Sequence, residues 1–169
     1  MGGGAAIAWL PLAVFAAHIV EEYPRFPAWA TRRFGATSRA WYVYSHILLV
    51  ALVIAVCGWA AGAAPGSWGV LAWLALAQTL GFNALFHLAA SLRWREYSPG
   101  LVTGLALMLP AAAWLTWRAG AQGLASGPQI AGALVLAALV QALVIWSLTL
   151  EMDIDWRFRF GRGSGRGAA

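Results

Sequence analysis

Five long apolar runs, at 5–22, 40–61, 68–92, 101–117 and 130–150, are separated by short polar or glycine-rich breaks. A helix crossing the roughly 30 Å hydrocarbon core of a bilayer needs about 17–25 such residues, and all five runs fall in that range. The breaks carry turn chemistry. "GAAPGS" (62–67) reads as a tight turn, "RWREYSPG" (93–100) as a polar turn and "RAGAQGLASGPQ" (118–129) as a flexible glycine-rich loop. Pro110 falls inside the fourth run and predicts a kink, which membrane helices tolerate. The pattern therefore predicts an all-α integral membrane bundle of five transmembrane helices, forming a single domain over 1–160. Residues 161–169 are expected to be a disordered Gly/Arg-rich tail.

Composition strengthens this reading. The chain is 62% hydrophobic and only 10% charged, with a mean hydropathy of +0.71, whereas soluble domains carry roughly 25% charged residues. There is too little charge to cover a water-facing surface. The first run has no basic cluster before it and no clear cleavage site, so it is expected to be retained as a span. One cysteine, Cys57, excludes both a disulfide framework and a Cys-rich zinc site.

Charge then adds an orientation. Arg25, Arg32, Arg33 and Arg39 follow the first run, Arg93 and Arg95 the third, and Arg157, Arg159, Arg162 and Arg166 the fifth, while Arg118 alone falls on the other side. By the positive-inside rule the N-terminus lies outside and the C-terminus in the cytoplasm, N-out/C-in. The pI of about 10.4 points to the anionic headgroups of the lipid bilayer as partner, with no nucleic acid expected. Trp9, Trp29, Trp41, Trp59, Trp68, Trp94 and Trp117 stand near span ends and read as an aromatic belt.

With depth assigned, the polar residues inside the runs gather. His18 lies near the cytoplasmic end of the first run, His46 about two turns into the second, and Asn83 and His87 toward the cytoplasmic end of the third, so all three histidines share one leaflet. His18, Glu21 and Glu22 stand at i, i+3 and i+4 and share a helix face. Asn83 and His87 do the same at i, i+4, with Thr79 a turn further. Ionisable groups within a span normally face the bundle interior and mark a functional site. The run 5–20 covers only about 24 Å at about 1.5 Å per residue, which keeps Glu21 and Glu22 at or just below the interface. Pro24 disfavours helix at Tyr23, so both glutamates sit in a last turn, against the negative end of the helix dipole. A bound cation, or a proton on one carboxyl, would relieve that conflict.

Two chemistries suit these residues. In the metal form, His18, Glu22 and His87 ligate a divalent metal such as zinc, which accepts N/O ligands and lowers the pKa of bound water to about 7, and Glu21 or another carboxylate serves as base. In the metal-free form Glu21 and Glu22 share one proton, since close like charges cannot both ionise in low dielectric, and act as acid and base with Asn83 beside them. Either describes a membrane-embedded enzyme acting on a lipid-soluble substrate in the cytoplasmic leaflet, as a hydrolase or an isomerase. A proton-linked carrier or binding protein would use the same His/Glu cluster. A structural or accessory membrane protein would use the residues as anchors, through a salt bridge of a glutamate to Arg25 or Arg39 and interhelical bonds of Asn83 and His87. Whether His46, Glu96, Tyr97 or Glu151 of "EMDID" joins the site stays open.

"HIVEEY" read as H-x-x-E-E, with the downstream "PAW", the N-x-x-x-H of "NALFH" and "YSPG", resembles the HXXEE family of small bacterial membrane proteins. The resemblance runs from about His18 to Gly100. It implies a multi-pass protein of the bacterial inner membrane in which His18, Glu21, Glu22, Asn83 and His87 belong together, and it supplies no reaction. A weaker likeness is to CAAX-type glutamic intramembrane proteases, with paired glutamates followed by an arginine. Here Arg25 comes three residues after Glu22 rather than four, and the later histidines do not match that pattern.

Overall fold

A computed structural model describes residues 3–35 and 38–149, and these are helical almost throughout. In chain order the elements are α1 (Gly3–Ala8), α2 (Leu10–Glu22), α3 (Phe26–Phe34), α4 (Arg39–Ala61), α5 (Trp68–Trp94) and α6 (Leu101–Thr103). A π-helical turn (Gly104–Met108), α7 (Leu109–Ala121) and α8 (Gly127–Ser147) complete the set. Five stretches are long and apolar enough to cross a membrane: Ala5–Glu22, Arg39–Ala61, Trp68–Trp94, Leu101–Ala121 and Gly127–Ser147.

The bundle is organised around α5. Just over half of its most apolar window is buried (56%), against 11–28% for the other four, and α4, α7 and α8 all pack on it. Small residues set the closeness of that packing. A Cβ on Gly81 would stand 3.0 Å from Ala112 Cβ, and one on Gly104 3.2 Å from Ala84 Cα, the small-residue contact that lets membrane helices approach. The outer helices instead carry exposed apolar side chains such as Leu48, Leu139 and Leu143. An apolar surface of this extent suits lipid far better than water.

Two prolines shape the spans. Pro11 stands at the start of α2, and the chain breaks at Trp9, where the Trp73 indole N–H donates to the Ala8 carbonyl at 3.0 Å. Pro110, expected to kink the fourth span, is preceded by the π turn. Leu109 N–H reaches back five residues to the Gly104 carbonyl, and the wider turn makes room for a ring that cannot donate to Ala106.

Three boundaries differ from the sequence expectation. The loop at 118–129 shrinks, because α7 continues to Ala121 and α8 begins at Gly127. Gln129 Oε1 accepts from the Ser126 N–H (2.9 Å) and hydroxyl (3.0 Å), while its amide donates to the Gly66 carbonyl (2.9 Å). Pro128 costs α8 nothing in its first turn. The fifth span ends at Ser147, earlier than the apolar run. Finally, the arginine-rich stretch after the first span holds a helix, α3, with Pro27 in its first turn and Arg32 and Arg33 in its last, where cations favour the dipole. Its buried face, Phe26, Trp29 and Ala30, packs with Tyr42, Ala90 and Leu148. Trp29 is thus core, not belt, whereas Trp59, Trp68 and Trp117 are exposed. "EMDID" and the tail lie outside the described residues.

Candidate metal centre

The end of α2, the start of α4, the last turns of α5 and the start of α6 meet at one end of the bundle. His18 and Glu22, one turn apart on α2, face His87 on α5. The His18 Nε2 lies 3.5 Å and the His87 Nε2 3.2 Å from Glu22 Oε1, and one ligand atom from each of the three lies within 4.8 Å of the others. All three residues are buried. On a tetrahedron with bonds of about 2.0–2.1 Å, neighbouring ligand atoms sit about 3.3 Å apart. The two separations from Glu22 Oε1 are close to that spacing.

The far side of each imidazole is also held. His18 Nδ1 lies 2.9 Å from Thr103 Oγ1, and the Thr103 hydroxyl donates to Glu21 Oε2. A carboxylate only accepts, so the threonine proton goes to Glu21 and its oxygen accepts from the His18 Nδ1–H. In the neutral ring Nε2 then carries the lone pair, turned to the cluster. His87 Nδ1 lies 2.9 Å from the buried Ser98 Oγ. The third histidine, His46, has Nδ1 2.8 Å from the Tyr42 carbonyl. A carbonyl also only accepts, so the neutral ring again presents an Nε2 lone pair, here 3.6 Å from Glu22 Oε2. Tyr42 donates its hydroxyl to that same oxygen at 3.1 Å. Metal-binding histidines commonly have the second ring nitrogen fixed in this way.

Asn83 sits between the rings. Its amide nitrogen lies 3.1 Å from His18 Nε2 and 3.4 Å from His87 Nε2, and its oxygen accepts from Gln141 at 3.3 Å. Thr79 bonds back to the Ala75 carbonyl instead of reaching the cluster.

Glu21 goes elsewhere. Five donors converge on its carboxylate: the N–H groups of Gly100 (3.1 Å), Val102 (3.0 Å) and Thr103 (2.6 Å), and the hydroxyls of Thr103 and Tyr97. Among the described residues the two glutamates take different donors, Glu22 the Tyr42 hydroxyl and Glu21 the 97–103 segment. Among the described residues neither pairs with an arginine. Arg39 lies over the Tyr23 ring, 5.7 Å from its centroid. Arg33 pairs with Glu96 at 2.7 Å and holds that carboxyl below its usual range. Burial first, and then its bond to Glu21, push the Tyr97 phenol up to about 12.

Gly100 closes the site. Its φ of +101° belongs to the region that favours glycine, and a Cβ there would stand 2.6 Å from His18 Cε1, 2.9 Å from His87 Cε1 and 3.0 Å from Glu22 Cγ. The backbone of the "SPG" turn is thus packed against all three candidate ligands.

Residues 9–115 match the family described as "Protein of unknown function with HXXEE motif". The chain belongs to that family. No curated protein and no solved structure matches it. In this HXXEE protein the motif's first histidine and last glutamate enter the cluster, while its middle glutamate anchors the 97–103 turn. Several members of the site escape a sequence reading. His46 and Tyr42 have no motif around them, although their i, i+4 spacing is a signal. Ser98, Gly100 and Thr103 lie in and just after a stretch that reads as an ordinary turn. Gln141 is a polar residue in the interior of the fifth long helix, which by itself merits inspection. Glu151 lies outside the described residues.

Proposed function

We propose that this protein is a membrane-embedded, metal-dependent enzyme that acts on a lipid-soluble substrate, with its site in the cytoplasmic leaflet of a bacterial inner membrane. The observation that carries the reading is the convergence of two imidazole Nε2 atoms on one carboxylate oxygen, at 3.5 and 3.2 Å, with the other ring nitrogens already bonded. Buried polar groups gathered in this way are costly without a ligand. The donor set, two nitrogens and an oxygen, suits zinc, which keeps a fourth position for water or substrate in catalytic sites. When bound, such an ion supplies Lewis acidity and a nucleophilic water at neutral pH. His18, His87 and Glu22 would hold it, and Thr103 and Ser98 keep the rings aimed. Asn83, within reach of both rings, orients a polar group of the substrate. His46 Nε2 is placed to accept a proton at the wall of the adjoining cavity.

The second reading, a proton-linked carrier, draws on one feature: three imidazoles surround a single carboxylate, a relay arrangement. Elemental analysis of detergent-purified protein separates the two. The metal reading expects about one zinc-class ion per chain, lost in His18→Ala, Glu22→Gln and His87→Ala variants that remain helical. Metal-free protein that conducts protons in liposomes only when Glu22 is intact would make it a carrier.

A further inference from the structure

Beside the cluster lies a crevice of about 550 Å³, with α5 as its floor and α4 and α8 as its walls. Its volume is within the roughly 300–1,000 Å³ of small-molecule sites. The polarity along it is graded. Glu22, Ser45, His46, Asn83 and Gln141 form a polar zone nearer one end, where Trp41, Phe86 and Leu148 close it off, and on the longer side the lining is apolar as far as Val56 on α4 and Ala72 on α5, apart from Thr79, whose hydroxyl is turned to the Ala75 carbonyl.

The length of the apolar part is informative. At about 1.5 Å per residue, His46 to Val56 spans about 15 Å and Asn83 to Ala72 about 17 Å. One leaflet of a roughly 30 Å hydrocarbon core is about 15 Å deep. The crevice also opens outward between its walls, where Leu48, Leu52 and Leu136 are more than half or about half exposed (72%, 56% and 50%). Its mouth therefore faces the lipid, along the direction in which acyl chains already lie.

We propose that this crevice receives one hydrocarbon chain of a single-chain membrane amphiphile, sideways from the bilayer between α4 and α8, and delivers its polar group to the end where Glu22, His46 and Asn83 stand. This names the substrate class and rests on the enzymatic reading above. Lipid tails are as apolar as leucine, so moving a chain from bilayer to crevice brings no hydrophobic gain. The crevice aligns the chain, and selection falls to the polar end. The gradation of the lining follows from that division of labour.

A palmitic acid carrying a mid-chain diazirine and a terminal alkyne tests this on the full-length protein in nanodiscs. After photolysis, peptide mapping should find labelling concentrated on residues 48–56 and 136–144. An excess of unlabelled palmitic acid should remove it. Leu52→Trp/Val140→Trp, which fills the crevice, should abolish the competable labelling, whereas Ile47→Trp/Leu143→Trp, outside the lining, should leave it intact. Two outcomes overturn the proposal even in the wild-type protein: labelling spread evenly over all lipid-facing helices without competition, or cross-links showing a second copy or residues 150–169 of the same chain in the crevice. Metal content is measured on the same samples. Competable labelling in a metal-free protein would retain the crevice and remove the metal reading, and metal with no competable labelling would do the reverse.

Discussion

Replacing Gly100 by alanine adds one methyl group at the point where the turn meets His18, Glu22 and His87. Two costs follow. A φ of +101° is unfavourable for alanine by about 1–2 kcal/mol. The new Cβ would also meet His18 Cε1 at 2.6 Å and His87 Cε1 at 2.9 Å, and overpacking of a dense interior costs about 1–3 kcal/mol. The rings cannot simply swing away, because Thr103 and Ser98 hold their far sides at 2.9 Å each. The total is about 2–5 kcal/mol. Gly123 supplies the control: its φ is +65° and nothing lies within 4 Å of a Cβ built there. Gly123→Ala should therefore show backbone strain alone, about 1–2 kcal/mol. Unfolding in mixed micelles, followed by tryptophan fluorescence, gives both values, and metal content is read on each variant. Gly100→Ala should be the less stable by about 1–3 kcal/mol, and it alone should lose metal. Equal stabilities, with metal retained in both, would show that the turn does not rest on the histidines.

Three further outcomes are expected. Thr103→Val removes the hydroxyl between His18 Nδ1 and Glu21, and metal affinity should fall by about 10–100-fold, with Thr103→Ser restoring it; unchanged affinity in a chelator competition would refute the link. The Glu96 carboxyl is depressed by Arg33, so its contribution is complete above its ordinary value of 4.5 and is lost as pH falls through the lower folded value. Trp29 and Trp94 fluorescence should thus report loosening of α3 only below the normal carboxylate range, with Glu96→Gln insensitive to that step. Reporter fusions test the orientation: fusion at residue 64 should report from the periplasm and fusion after residue 160 from the cytoplasm, and the opposite pattern would reverse the assigned leaflet.

The five long apolar helices were legible because apolar runs of membrane length leave few other folds open to the chain. The gathering of His18, Glu22, Asn83 and His87 was legible for a similar reason, since i, i+4 spacing aligns two residues on a helix whatever surrounds it. The roles of the two glutamates were not. Residues 21 and 22 stand about 100° apart around a helix of 3.6 residues per turn, so a pair adjacent in sequence diverges in space. Glu22 follows His18 into the cluster and Glu21 turns to the 97–103 backbone. His46 shares their leaflet in the sequence, but whether it joins the site stayed open, because its partner, Glu22, lies on another helix and only tertiary packing sets that distance. Gly100 was hidden because its close approach to two histidines is set by the turn's docking, which residue type alone does not encode. Helix α3 and the Ser126/Gln129 cap were readable from Pro27, Pro128 and local spacing, but the arginines and glycines around them suggest loops.

Zinc-edge X-ray absorption on the purified full-length protein, loaded with one equivalent of zinc, tests the central claim most directly. The account predicts two imidazole nitrogens at about 2.0–2.1 Å and a carboxylate oxygen at about 2.0–2.2 Å, with one imidazole lost in His87→Ala and the oxygen lost in Glu22→Gln. A coordination shell unchanged by either substitution, or a protein that retains no zinc after desalting, would contradict it.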